Sequence, residues 1–357
     1  MWAAVVAGAG PAGALAAITL ARSGHRTLLA DKVGDYADKI GEALPEAAGR
    51  LLRSLDLPVL EAEGAHAAIG GILSSWSSDE LIAIDSFRHP DGRGWRLDRA
   101  RFDADLRTAA IAAGAVWRAD RVRSVRRLVE GWEVGFEDGR VEHARWIVDA
   151  TGRNRLLARR LGVPRVRGPR LVAVYARGRA DNARPLYTDR TLIEAVPEGW
   201  WYAARLPSGA PIAGFHTDAR TAAGLRSDAR AWARGLSRTR HIARLLDGAQ
   251  FDRVRAVDAR GGRLDEFSGP GWIACGDAAM CFDPISGQGI FSALHDGVAA
   301  GSAIAAALDG RPDALDGYTK QMTEIWAIYQ ARVRTLYRNG HRWPASDFWT
   351  TVEHDLR

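Results

Sequence analysis

The chain of 357 residues is 47% apolar and 26% charged, with a formal net charge of +6. That composition fits a globular protein with a large core and excludes disordered or fibrous classes. The charge is carried by arginine, since lysine occurs only at Lys32, Lys39 and Lys320. No compact basic tract with interleaved aromatics marks a nucleic-acid interface. Cys275 and Cys281 are the only cysteines, too few for a disulfide framework and without metal spacing. The histidines form no H-x-x-x-H pair, so no metal site is expected.

Met1–Ala21 is apolar but lacks a basic leader and is broken by Gly8, Gly10, Pro11 and Gly13, unlike a signal peptide. No later stretch reads as long and apolar enough to span a membrane, and a cytoplasmic protein is expected. Trp2–Ala7 is β-prone, Gly8-Ala9-Gly10-Pro11-Ala12-Gly13 follows, and an Ala/Leu-rich helix runs to Ser23. A second strand, Thr27–Ala30, ends at Asp31. This is G-x-G-x-x-G between a strand and a helix with an acid about 20 residues on, the arrangement that binds a dinucleotide. Gly8 permits the turn, Gly10 admits a pyrophosphate, Gly13 lets helix and strand close, and Asp31 suits a ribose diol.

Lys39-Ile40-Gly41-Glu42-Ala43-Leu44-Pro45 is a loop able to cross a cleft, and a helix follows through Leu55. Gly70–Asp85 predicts two short strands around Ser77–Glu80. Asp98 is a candidate N-cap for a helix with Phe102, Leu106 and Ala110 on one face and Arg99 in its first turn. Val122–Leu128, Trp132–Phe136 and Glu142–Val148 form a meander, with Asp138-Gly139 as its hairpin signal. It ends at Asp149-Ala150-Thr151-Gly152-Arg153, a pattern that points to FAD over NAD.

From Arg165 a second sheet is predicted, with strands at Leu171–Arg177, Thr191–Ala195, Trp200–Leu206, Pro211–His216 and Val254–Arg260. One arginine-rich helix is expected over Ser227–Leu246. The chain returns at Gly271–Cys275 to the first lobe, and helices Phe291–Leu308 and Leu315–Arg338 precede an aromatic tail, His341–Trp349. The expected fold is α/β: a Rossmann-like, glutathione-reductase-like FAD-binding domain with an inserted β-meander, a β-sheet substrate domain and C-terminal helices. The FAD lobe would be discontinuous over 1–75, 95–165 and 265–310, the substrate lobe would take 76–94 and 166–264, and a helical segment would close at 311–357.

G-A-G-P-A-G at Gly8–Gly13, L-D-R-A-R-F-D-A-D-L at Leu97–Leu106, D-A-T-G-R at Asp149–Arg153 and G-D-A-A…D-P…G-Q-G at Gly276–Gly289 together resemble the FAD-dependent monooxygenase superfamily that shares the p-hydroxybenzoate hydroxylase fold. K-I-G-E-A-L-P at Lys39–Pro45, E-A-V-P-E-G-W-W-Y at Glu194–Tyr202 and R-W-P-A-S-D-F-W at Arg342–Trp349 are similar to its halogenase-like branch. Within that branch they look most like the LodB-, GoxB- and QhpG-type flavoprotein hydroxylases that mature quinone-containing oxidases.

The resemblance implies that Gly8, Gly10 and Gly13 hold the FAD pyrophosphate and Asp31 the adenosine ribose, with Ala12, Lys32 and Val122 also binding the cofactor. Arg99 and Asp277 would contact the cofactor, and Lys39 and Glu42 would line it. Pro284 would lie on the flavin face, with Gly287, Gln288 and Gly289 at the edge that becomes negative on reduction. It further implies hydroxylation of an electron-rich aromatic ring through a flavin C4a-hydroperoxide, with O2 as co-substrate and NAD(P)H or a separate flavin reductase as electron source. The substrate would be a small aromatic molecule or a tryptophan side chain, free or in a peptide.

Trp76, Trp201 and Tyr202 are candidate pocket walls and His216 a candidate acid/base, together with Pro284. No lysine stands between Lys39 and Lys320 to relay hypohalous acid, which argues against halogenation. Two other readings fit the same motifs: a flavin-dependent reductase or dehydrogenase, and a non-catalytic flavin-carrying maturation partner.

Overall fold

The computed structural model describes residues 1–32, 39–61, 64–85, 91–179, 189–340 and 342–356. Its first lobe is built on a parallel core in which Trp2–Ala7 lies between Thr27–Ala30 and Val141–Asp149. Val116–Arg118 extends this core beside Thr27–Ala30, and Trp272–Ala274 extends it beside Val141–Asp149. The central strands bury both faces, as Trp2–Ala7 and Thr27–Ala30 do almost throughout, which is why they read as continuous apolar runs. The meander Val122–Arg127 and Trp132–Phe136 adds antiparallel to Val141–Asp149, turning at Asp138-Gly139 as expected.

The second lobe is a mixed sheet in the order Gln250–Phe251, Val172–Arg179, Pro211–Thr217, Gly199–Arg205, Arg190–Val196, Gly71–Ser75, Ile82–Asp85. Gly71–Ser75 pairs in parallel with Arg190–Val196, so this sheet starts a few residues before the expected boundary at 76. One face packs on helices, with Leu73, Val174, Leu192, Trp201 and Phe215 meeting Leu225, Trp232, Ile242 and Leu246. The other face turns toward the C-terminal helices Ala314–Asn339 and Asp347–Asp355, and carries Trp200 and Tyr202. His341, the first residue of the expected aromatic tail, lies outside the described residues.

The single helix expected over Ser227–Leu246 is three: Ala219–Ser227, Ala229–Ser237 and Ile242–Leu245. Asp228 breaks the first from the second, because its extended backbone places the carboxylate to accept from the Arg230 N–H. Glu194, reaching across from the sheet, accepts from the backbone N–H groups of Arg240, His241 and Ile242 and fixes the third.

A second expectation also changes. Gly289–Leu308 is long and apolar enough to cross a membrane by length and composition. Its packing accounts for that character. It lies against Pro11–Arg22 so closely that a Cβ at Gly297 would fall 2.2 Å from the Ala12 carbonyl oxygen, and one at Gly301 would fall 2.7 Å from Thr19 Cβ.

Candidate functional site: a groove between two bare helix ends and a polar strap

The contacts of Gly297 with Ala12 and of Gly301 with Thr19 advance together along both helices, so Pro11–Arg22 and Gly289–Leu308 run parallel. Eight residues separate Gly289 from Gly297, so the second helix begins about 12 Å beyond the start of the first at 1.5 Å per residue. Neither N-terminus has a side-chain cap: Gly10 and Gln288 occupy the N-cap positions without a side-chain hydrogen bond. Two sets of unsatisfied N–H groups therefore face the same end of the molecule, each backed by a helix dipole. That pair suits a ligand with one anionic centre at the first helix and a second, about 12 Å away, at the other.

The glycines behave as such a ligand requires. A Cβ at Gly8 would lie 2.3 Å from the Ala150 carbonyl oxygen, and one at Gly13 would lie 1.8 Å from the Gly8 carbonyl oxygen. Those two positions are closed by the protein. Cβ atoms at Gly10, Gly287 and Gly289 would meet nothing within 4 Å, so these three line open space. Asp31 ties the turn together, its Oδ2 accepting from the Ala9 N–H at 2.9 Å and its Oδ1 from the Lys32 N–H at 2.8 Å. Val122 is buried at the start of the meander. The Lys32 side chain is exposed, and Pro284 is exposed beside Gly287. Asp277 keeps 39% of its side chain open, with one oxygen 3.4 Å from Arg153 Nε.

Across from these, Lys39–Glu42 forms a strap held from both lobes. Arg99 donates to the Gly41 carbonyl at 2.8 Å and the Ile40 carbonyl at 3.2 Å, and pairs with buried Asp103 at 3.2 Å. Lys39 Nζ donates to Asp103 at 2.7 Å. From the second sheet, Arg177 Nη2 donates to the Lys39 carbonyl at 2.7 Å and to Glu42 Oε1 at 3.3 Å. Burial pushes the Glu42 carboxyl up, and Arg177, Arg96 and Arg99 oppose that push. Arg96, itself buried, donates to Thr191 Oγ1 at 2.7 Å.

Tyr202 completes this corner. Its ring lies against Gly214, where a Cβ would fall 2.1 Å from the ring edge, and its buried hydroxyl has no protein partner among the described residues. Burial, followed by the charge of Glu42, holds the phenol well above its usual range and therefore neutral. Sequence reading missed Arg96, Arg177 and Asp103. Arg177 carried a signal, because it alternates with Tyr175 on a strand otherwise rich in small and apolar residues.

Of the candidate pocket residues, Trp201 lies on the face opposite Tyr202, while Trp76 and His216 share the Tyr202 face but are packed among other rings. Trp201 is 1% exposed and stacks on Phe215 at 4.6 Å, on the helix-covered face. Neighbouring strand residues point to opposite faces, so Trp201 and Tyr202 cannot wall one pocket. Trp76 is buried in a cluster with Trp200, Tyr337 and Trp349, and its indole N–H donates to the Leu336 carbonyl at 2.7 Å. His216 is stacked flat on Trp200 at 3.7 Å. Burial pushes its pKa down to about 3, so the ring is neutral at ordinary pH, which weighs against the acid/base role expected for it.

A different titrating group lies beside Pro284. Asp283 is buried, accepting from the Tyr337 hydroxyl at 2.8 Å and from the Ile285 N–H at 2.9 Å, while the Trp200 indole N–H donates to the Tyr337 oxygen at 3.1 Å. Burial raises the Asp283 pKa to about 6, with Ile285, Tyr337 and Arg153 opposing. The folded state then holds a proton between about pH 4 and 6 that the unfolded chain has released, so this group's contribution falls as pH rises through that window. Its full span is about 3 kcal/mol. We expect Asp283→Asn to flatten thermal stability between pH 4 and 6 relative to the native protein. Melting curves at pH 4.5 and 6.5 that differ equally in both proteins would contradict this assignment.

A strand–turn–helix dinucleotide site with two bare helix ends defines a flavin-nucleotide-binding protein, and comparison with known proteins agrees. Residues 1–331 match the FAD binding domain family, and the chain belongs to it. It is 31% identical over 357 aligned residues to the putative FAD-dependent oxidoreductase LodB of Marinomonas mediterranea, covering 97% of this chain and 95% of that protein. The structure of the chondrochloren halogenase CndH, a myxobacterial FAD-dependent halogenase, superposes with a TM-score of 0.90 at 22% identity, covering 99% of this chain and 86% of that one. The peptidyl tryptophan dihydroxylase QhpG superposes with a TM-score of 0.76 at 26% identity, covering 99% and 78%. The chain is an FAD-dependent oxidoreductase of this family, and it shares its fold with FAD-dependent halogenases.

Proposed function

We propose that this oxidoreductase is a monooxygenase that hydroxylates an electron-rich aromatic ring, with a tryptophan side chain held in a peptide as the preferred substrate. The observation that carries the reading is the Tyr202 hydroxyl, buried without a protein partner on the sheet face that also packs Ile285, next to Pro284. A donor left unmatched by the protein is suited to a polar atom of a bound substrate, such as an indole or peptide group. The likeness to LodB and to a peptidyl tryptophan dihydroxylase supports the same reading. So does the lack of any lysine between Lys39 and Lys320, which speaks against hypohalous acid relay.

Bound and reduced, FAD supplies the activation of O2, with electrons from NAD(P)H or a separate flavin reductase. The chain's own residues do the rest. Ala12 and Gly13 N–H groups would receive the pyrophosphate, Asp31 the ribose, and the N–H groups following Gln288 the negative edge of the reduced ring. The strap Lys39–Glu42 would close the other side, excluding water from the reacting ring. Tyr202, neutral and fixed against Gly214, would orient the substrate.

The test is a mass-spectrometric screen of the FAD-loaded protein with reductant and air against free tryptophan, tryptophan-containing peptides and simple phenols. The expected product is a peptide heavier by one or two oxygen atoms. Turnover of phenols with inert peptides would overturn the substrate assignment.

A further inference from the structure

A second concave site lies beside the cofactor groove. Arg153, Arg155, Arg159, Arg165 and Arg167 line a cavity of about 590 Å3, and its lining includes no aspartate or glutamate. Their convergence follows from local geometry. Arg153 belongs to the short helical turn Gly152–Asn154, and Arg155 and Arg159 stand four residues apart at and after the start of Leu156–Leu161. Arg165 and Arg167 share one face of the strand Arg165–Arg167, being two residues apart. Five guanidinium groups thus enter one space from a turn, a helix and a strand.

Burial works against the charge of Arg153, but Cys281, Asp277, Asp258 and Asp283 outweigh it and raise its pKa, while the other four arginines have fewer partners among the described residues. Arg153 lies 3.4 Å from Asp277 and donates to the Arg260 carbonyl at 2.7 Å. Arg159 reaches only the Asn154 side-chain oxygen at 3.3 Å, and Arg165 Nη2 only Cys281 Sγ at 3.5 Å, among the described residues. Arg165 Nε is buried and has no hydrogen-bond partner among them. Arg155, Arg159, Arg165 and Arg167 make no ion pair with any described carboxylate. Arg155 adopts a left-handed backbone with φ 48°, rare for a side chain of its size. Burial chiefly, and then the charges of Arg165 and Arg153, push its pKa down, with Cys281 and Asp258 opposing.

We propose that this cavity binds a phosphate-rich small anion, the diphosphate of a nucleotide or free pyrophosphate. Planar guanidinium forks match phosphate oxygens two at a time, and several acting together supply the missing negative charge. An acidic peptide suits the shape less well, because the arginines surround a concave space from three elements rather than lining an extended track. Gly8, Gly10, Gly13, Asp31 and Gly287 do not line this cavity, so the anion would be additional to the bound FAD.

The experiment is calorimetric titration of inorganic pyrophosphate, and separately of ADP, into the FAD-loaded protein at fixed ionic strength. One equivalent is expected to bind, with Arg155→Ala and Arg165→Ala each weakening affinity about tenfold or more. Arg226→Ala, an exposed arginine far along the chain, is the control and should bind as the native protein does. ADP binding more tightly than pyrophosphate identifies a nucleotide as the source; equal affinity identifies free phosphate. Retained flavin absorbance reports folding, and exposed Arg167→Ala carries the test if either half-buried variant loses it. Absence of saturable binding would overturn the proposal. So would arginine variants that bind as the Arg226→Ala control does, or displacement of pyrophosphate by an equal concentration of oligoglutamate.

Discussion

Gly13→Ala is expected to destroy FAD retention together with much of the fold's stability, whereas Gly10→Ala should weaken FAD binding alone. A Cβ at Gly13 would lie 1.8 Å from the Gly8 carbonyl oxygen and 3.0 Å from Ala150 Cβ. Both neighbours belong to the central sheet and its first turn, so neither yields without opening the strand–turn–helix unit. Overpacking of this kind costs about 3 kcal/mol. At Gly10 the protein leaves room, since nothing lies within 4 Å of an added Cβ. The methyl group would occupy the space through which a pyrophosphate approaches the Ala12 and Gly13 N–H groups. We expect native-like melting and an FAD affinity lower by on the order of 100-fold, equivalent to about 2.7 kcal/mol. Melting curves and a flavin-fluorescence titration of both variants check this. A Gly10→Ala protein that binds FAD like the native one would show that the cofactor does not use this turn.

The neighbouring residues Trp201 and Tyr202 should behave in opposite ways. Trp201 is 1% exposed and packed between Phe215 and Trp232. Trp201→Ala should therefore cost about 3–5 kcal/mol of stability. Tyr202→Phe removes a hydroxyl that no described protein group satisfies, so stability should change by less than about 1 kcal/mol. If that hydroxyl meets the substrate, kcat/KM should fall about tenfold or more, a loss of roughly 1.4 kcal/mol. Denaturant titration and steady-state kinetics on the two variants separate the roles. Equal destabilisation by both, with no kinetic effect of Tyr202→Phe, would place Tyr202 in packing as well.

Much of the cofactor lobe was legible because its chemistry is local. Gly8–Gly13, Asp31, Asp98 as an N-cap and Asp138-Gly139 as a turn each act within a few residues of their position, and the chain order preserves that information. Asp98 does accept from the Arg101 N–H at 3.0 Å. The second lobe was less legible because its decisive pairings are distant. Arg177 meets Glu42 across 135 positions, and Tyr337 meets Asp283 across 54. No periodicity announces such contacts. Trp201 was misplaced for a related reason: residue type suggested chemistry, while strand alternation and burial decided which face it would occupy. Asp283 stood in a quoted motif and still went unassigned, since only the tertiary structure shows how its burial raises the carboxyl.

Oxygen insertion by this flavin site is the reaction we propose. The most direct measurement is a single turnover of the FAD-loaded, pre-reduced protein with a tryptophan-containing peptide under 18O2. Product carrying 18O on the aromatic ring is the predicted result. Flavin reoxidation that leaves the peptide unlabelled, or a product changed only by hydrogen, would contradict it and favour a reductase or dehydrogenase.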